Sequence, residues 1–271
     1  MDFKKMSLAA TSKGLDPTFA VQLIGVEKSF GSQQVCRGVN LAVKKGKVLS
    51  IMGPSGCGKT ITIKMLIGLV LPDKGSILFD GIDIAALSRE DEFLPIRQRI
   101  SMVFQGAALF DSMSVFENIS YPLKIQGLAL DSELQDRVNA SLALVGLPEA
   151  GEKMPSELSG GMKKRIGLAR AIVTNPEIIL YDEPTTGLDP VNTRRIVDLI
   201  LMLQDKLTCT SIVVSHDMPV VEAVSYEVAF MFNGKVRQMG TFSELKASED
   251  EVVRGFVVGD PSVLLTAHGS I

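Results

Sequence analysis

Cysteine is scarce in this chain, positive charge is not in excess, and no long apolar run is present. Cys36, Cys57 and Cys209 are odd in number and far apart, which excludes a disulfide framework or a metal knuckle and predicts a reducing, cytosolic setting. With 28 Lys+Arg against 31 Asp+Glu, the formal charge is -3, so the electrostatic footprint of a nucleic-acid binder is missing and no such partner is expected. No stretch approaches the ~20 apolar residues that a spanning helix needs. Residues 1–20 carry lysines but no apolar core of signal-peptide length, and their small polar residues predict a flexible tail. There is no internal repeat and no low-complexity tract.

What remains is an ordinary globular composition, 46% hydrophobic and 22% charged, in a chain of 271 residues that can bury a sizeable core. Short apolar runs of strand type, VQLIGVEKSFG from Val21, VNLAV, VLSIM, EIILYDEP and TSIVVS, alternate with helical patterns. Helices are predicted from Lys59 to about Leu69, over Asp131–Gly146 with a capping box at Ser132 and Gln135, after LSGG, and around Val191–Leu203. Alternating strands and helices predict an α/β fold with a mostly parallel sheet covered on both faces. VAFMF-NG-KVRQM reads as a hairpin, with Asn233 and Gly234 in a tight primed turn.

Two motifs carry chemistry. GPSGCGKT, comprising Gly53, Pro54, Ser55, Gly56, Cys57, Gly58, Lys59 and Thr60, matches G-x-x-x-x-G-K-[ST] in full and lies between a strand and a helix. Its glycines let backbone N–H groups converge on phosphates at a helix N-terminus, Lys59 reaches the terminal phosphates, and Thr60 offers a hydroxyl to Mg²⁺. A glycine-rich turn without function is the bland alternative, and the strand–loop–helix context argues against it. This is a nucleoside-triphosphate site. EIILYDEP supplies the metal side: Asp182 ends a buried strand where it can hold Mg²⁺, and Glu183 is placed to polarise an attacking water. Cys57 contributes backbone and reads as tolerated rather than redox-active; His268, in a short polar tail, has no assigned role.

A third stretch, LSGGMKKR, places Ser159 where it can cap a helix whose first N–H groups, at Gly160 and Gly161, face an anion. Lys163, Lys164 and Arg165 behind them read as a solvated helix face, with a binding patch as the alternative.

In order and spacing, GPSGCGKT, Gln105 in MVFQ, LSGGM, the DE pair of LYDEP, GLDP at Gly187–Pro190 and His216 in VVSHD resemble the ATP-binding cassette ATPases over roughly residues 21–245. The resemblance implies a P-loop NTPase core, a small antiparallel β subdomain and an inserted helical subdomain at about 106–160. It implies that Gln105 touches metal or water, that His216 contacts the γ-phosphate, that Asp189 helps align the opposite site, and that Phe30 stacks on adenine. It further implies that Ser159, Gly160 and Gly161 bind the γ-phosphate of ATP held by a second copy, so a homodimer is expected. The usual glutamine of the signature is Met162 here, which removes that residue from the ligand set.

A single cassette without a coiled coil, a second cassette or a spanning helix resembles the separate ATPase subunit of a transporter. LFDSMSVFENISYPL, LSGGMKKR and the stretch from VVSHD to TFSEL look similar to the bacterial lipid-asymmetry ATPases. That similarity implies phospholipid movement between inner and outer membranes, a separate membrane permease, a lipid-binding protein of the mammalian-cell-entry type, and a peripheral position on the cytoplasmic face of the inner membrane. It also implies that the extension 246–271, with EVVRGFVVGDPSVLL at Glu251–Leu265, contacts the neighbouring ATPase. The region Ala107–Leu123 is expected to be helical and to form either the coupling surface or local core. Other readings are a cassette ATPase for another substrate, for cell division or for iron–sulfur assembly, and an ATP-gated scaffold with little turnover.

Overall fold

The computed structural model describes residues 16–260 of the chain. The predicted tail to residue 15, His268 and the end of the extension lie outside the described residues. Two sheets organise the rest. One is antiparallel, in the order β2-β1-β4-β5, built from β1 Phe19–Phe30, β2 Gln33–Lys44, β4 Lys74–Phe79 and β5 Ile82–Asp83. The other has six strands in the order β10-β9-β3-β8-β7-β6, from β3 Val48–Met52, β6 Ile100–Val103, β7 Ile178–Asp182, β8 Thr210–Val214, β9 Glu227–Phe232 and β10 Lys235–Gly240. Every pairing in it is parallel except the β9/β10 hairpin.

β3, β7 and β8 are buried along their whole length, which is why they read as continuous apolar runs. Alternate side chains go to opposite faces of the sheet. Leu180, Ile212 and Val214 pack with Ile51 and Ile63 against the antiparallel sheet's Val21, Val39 and Ile77. Ile179, Tyr181 and Val213 pack instead with Ile119 of α3 (Val115–Ile125), Val138 of α4 (Asp131–Leu144), Ile166 of α5 (Gly160–Ile172) and Ile200 of α6 (Pro190–Leu207). Asn233 and Gly234 both have positive φ, 48° and 76°, as the primed turn requires.

Local details differ from the expectation at four places. α1 (Lys59–Met65) stops short of Leu69, because the chain turns at Gly68, where the Phe93 ring sits 2.3 Å from the position a Cβ would take. α4 is not capped by Ser132; it begins after Leu130, whose N–H donates to the Glu133 carboxylate at 3.0 Å. Residues 107–114 are not helical: Ala107 and Ala108 adopt left-handed φ, and α3 starts only after its cap Ser114, whose hydroxyl accepts from Glu117 N while the Glu117 carboxylate accepts from Ser114 N.

The fourth is the C-terminal extension. α7 (Met218–Val224) precedes the hairpin, α8 (Phe242–Lys246) follows it, and α9 (Glu251–Val258) returns onto the same chain. Val253 and Val257 are buried with Phe230 and Leu245, and the Phe256 ring lies 5.2 Å from that of Phe230. Much of the apolar surface expected to face a neighbouring subunit is therefore used within the chain. Asp250 fastens this helix, accepting from Val252 N at 2.9 Å and from Arg237 Nε at 2.6 Å; the arginine bond chiefly holds its carboxyl below the usual range. Asp250→Ala is expected to lower stability by about 1 kcal/mol, read from the midpoint of urea unfolding.

Candidate functional site

Three neighbouring parallel strands, β3, β8 and β7, end at the same edge of the sheet. β3 runs into the glycine loop, β8 into Ser215 and His216, and β7 into Asp182 and Glu183, while Gln105 follows the adjacent β6. Ligands of open α/β sheets bind at such carboxyl ends, where connections diverge. The residues line a cleft of ≈ 460 Å³ that holds Phe30, Ser55, Gly56, Gly58, Lys59, Thr60, Gln105, Glu183 and His216. A larger hollow, ≈ 650 Å³, lies elsewhere, beside Asn175, Glu177 and Thr208, and contains none of the predicted site residues.

The loop needs glycine where the backbone is crowded. At Gly53, φ is +146° and a Cβ would lie 2.0 Å from the Met231 carbonyl oxygen, so any side chain would displace β9. Lys59, 8% exposed, donates to the carbonyls of Gly53 and Pro54 at 2.8 and 2.9 Å, which lays its ammonium across the loop. The Cys57 thiol is buried and its pKa is pushed up, chiefly by burial, which suits a backbone role. Phe30 sits at the cleft mouth, half exposed, with Lys28 Nζ 5.4 Å from its ring centre.

Thr60 Oγ1 donates to Asp182 Oδ1 at 2.7 Å, joining α1 to β7. Burial raises the Asp182 pKa, opposed first by the Thr60 bond and then by the Lys64 and Lys59 charges. Hydroxyl, carboxylate and amide oxygens of this kind suit a small hard cation that keeps several waters. Glu183 is positioned by its backbone as well as its side chain: φ is +49°, and its N–H donates to Val214 O at 2.9 Å. Its Oε2 accepts from Thr186 Oγ1 at 3.1 Å and lies 2.8 Å from His216 Nδ1. A histidine donating to Glu183 through Nδ1 can also donate from Nε2 only when the ring carries both protons.

Ser159, Gly160, Gly161 and Asp189 do not line the cleft. Ser159 caps α5, accepting from Met162 N at 3.3 Å, and Asp189 caps α6, accepting from Val191 N and Asn192 N at 2.9 Å each. Asn192 connects them: it donates to Asp189, and its Oδ1 lies 2.9 Å from where a Gly161 Cβ would sit. Sequence reasoning missed Asn192 and Thr186, which carry no motif of their own. It also read Lys164 and Arg165 as solvated, whereas Lys164 is buried and Arg165 donates to Val145 O and Gly146 O at 3.2 and 3.3 Å. Lys164 lies three residues before Gly167 and four before the apolar Leu168, and that helical spacing was the signal available for it.

A family profile described as "ABC transporter" matches residues 36–186. The chain belongs to the ABC transporter family and is an ATP-binding subunit that couples ATP hydrolysis to transport. Among curated relatives, the intermembrane phospholipid transport system ATP-binding protein MlaF of Haemophilus influenzae is 42% identical over 85% of this chain and 87% of its own. The Escherichia coli K12 protein of the same name is 41% identical over 88% of each chain. The probable ribonucleotide transport ATP-binding protein mkl of Mycobacterium bovis is 39% identical over 92% of this chain and 69% of its own. Of solved structures, the ATP-binding cassette MJ0796, dimeric and bound to ADP and Pi, superposes with a TM-score of 0.75 at 32% identity over 82% of this chain and 98% of that one.

Glu183→Gln keeps the hydrogen-bonding shape but removes the carboxylate that could act as a base, so phosphate release is expected to fall about 10²- to 10⁴-fold while ATP binding persists. Equal rates in the two proteins would take Glu183 out of the chemical step.

Proposed function

We propose that the chain is the ATP-hydrolysing subunit of a phospholipid transporter, working between inner and outer membranes through a separate permease. The observation that carries this reading is the match to two MlaF proteins at 41–42% identity, spanning 85–88% of this chain and nearly the same share of theirs. The ribonucleotide reading rests on a relative at 39% identity of which 69% is covered.

In this reading the cleft holds ATP, with Phe30 against the base and backbone N–H groups of Gly53 to Gly58 around the phosphates. Lys59 turns from the loop carbonyls to the terminal phosphates. Thr60, Asp182 and Gln105 would hold Mg²⁺, which when bound would offset phosphate charge. Glu183 orients and deprotonates the attacking water, and His216 meets the γ-phosphate. A second copy of the chain closes the pocket with Ser159, Gly160 and Gly161, a helix start that suits an anion and of which Ser159 and Gly160 are exposed and Gly161 buried, while Asp189 beside them helps align the pair. The solved structures of the MJ0796 cassette are dimeric, which supports the pairing.

A groove lined by Leu69, Phe104, Phe110, Tyr121 and Gln126 is suited to an intracellular segment of the permease, since Leu69 and Phe110 are 50% and 42% exposed. In this reading the subunit sits peripherally on the cytoplasmic face of the inner membrane; no helix among the described residues is long and apolar enough to cross a membrane. A mammalian-cell-entry-type lipid-binding protein completes the assembly. The extension 246–271 is left to contact the neighbouring ATPase with what α9 does not bury in its own chain.

The tagged chain, purified from detergent-solubilised membranes, is expected to bring down a membrane permease. ATP hydrolysis by that complex in liposomes is expected to accompany transfer of fluorescent phospholipid to the lipid-binding partner. Uptake of ribonucleotides without lipid transfer would overturn the phospholipid assignment.

A further inference from the structure

We propose that Lys164 is a positioning residue for hydrolysis, whose ammonium ties the backbone of Glu183 to that of Gln105 and so aims the catalytic carboxylate. The side chain is 8% exposed, and its Nζ reaches the backbone of Gln105 and Glu183, two residues that line the cleft of the same chain. A buried ammonium is unfavourable unless its protons are satisfied. None of the ion pairs among the described residues includes Lys164, and its Nζ donates instead to two backbone carbonyls, those of Gln105 and, at 3.3 Å, Glu183. One cation therefore bridges the loop that follows β6 and the residue that follows β7.

The Glu183 carbonyl is worth holding. A non-glycine residue at φ +49° is in a strained region of backbone conformation and persists there only when its surroundings impose it. The Val214 carbonyl holds Glu183 from the amide side and Lys164 holds it from the carbonyl side. Without the second tie the peptide can rotate, and the carboxylate would leave its place beside His216 and Thr186. A displacement of about 1 Å at a reacting group can cost roughly 10²-fold in rate.

The rest of the helix agrees with this role. Residues 164, 167 and 170 recur at intervals of three and form one face of α5. Gly167 permits close approach of Ala107, whose Cβ is 3.3 Å from where a glycine side chain would begin, and Arg170 donates to the carbonyls of Ala107 and Ala108 at 2.7 Å each. Both alanines are left-handed, like Glu183. The whole face is devoted to loops of unfavourable backbone geometry, and Lys164 is the member that reaches the hydrolytic residue.

The test compares Lys164→Met and Lys164→Arg with wild type in steady-state ATP hydrolysis, ATP affinity and thermal melting. The methionine variant is expected to lose about 10- to 100-fold in kcat with ATP affinity and KM changed less than about threefold, and the arginine variant to regain most of the loss. Combined with Glu183→Gln in single-turnover assays, Lys164→Met is expected to add little further loss, because both lesions act on the same group. Should Lys164→Met melt early, Lys164→Gln replaces it in the same assays. A kcat within twofold of wild type, a loss that moves KM and kcat together, no recovery with arginine, or full multiplication of the two losses would each overturn the proposal.

Discussion

The hydrogen bond from Thr60 to Asp182 is the contact on which the site depends. It joins the helix after the phosphate loop to the strand bearing the acidic pair, across β8, which lies between β3 and β7. Parallel pairing makes the carboxyl ends of these strands coincide, so residues more than a hundred positions apart in the chain reach one cleft. The buried apolar strands of the central sheet, sandwiched between the antiparallel sheet and the helical layer, hold that edge in place.

The signature helix α5 faces two ways. Its start, at Ser159 and the two glycines, does not line the cleft and lies beside Asn192, which donates to Asp189. About one and three turns later, Lys164 and Arg170 grip the loops beside Gln105. A rigid helix with hydrogen bonds at both places transmits displacement from one to the other, since packed interiors deform little. In the proposed pairing of two copies, contact with the partner's nucleotide and the setting of Glu183 become mechanically linked.

Much of this was legible in the sequence where local pattern and chemistry coincide. GPSGCGKT states its turn, its helix start and its ligand class together, and Asn233–Gly234 states its hairpin through backbone conformation. The α/β fold followed from apolar runs that alternate with helical spacing. The obscured parts arise from tertiary contact. α1 ends early because the Phe93 ring crowds Gly68, and α9 folds back because Phe230 and Leu245 leave a space its valines fill. Lys164 reads as surface in a run of three basic residues, and only the carbonyls of Gln105 and Glu183, brought from 59 and 19 residues away, explain its burial. Left-handed alanines at 107 and 108 likewise have no sequence signal, since Arg170 stabilises them from another element.

The claim that one copy donates Lys59 and Glu183 while another donates Ser159 is tested most directly by mixing two inactive proteins, Lys59→Ala and Ser159→Arg. Each alone has a lesion in both pockets of its dimer, whereas a mixed dimer has both lesions in one pocket and none in the other. Random exchange is expected to restore about a quarter of wild-type hydrolysis in an equimolar mixture if pockets act independently. A mixture that stays as inactive as its components, under conditions where mixed dimers are seen to form, would contradict the shared pocket.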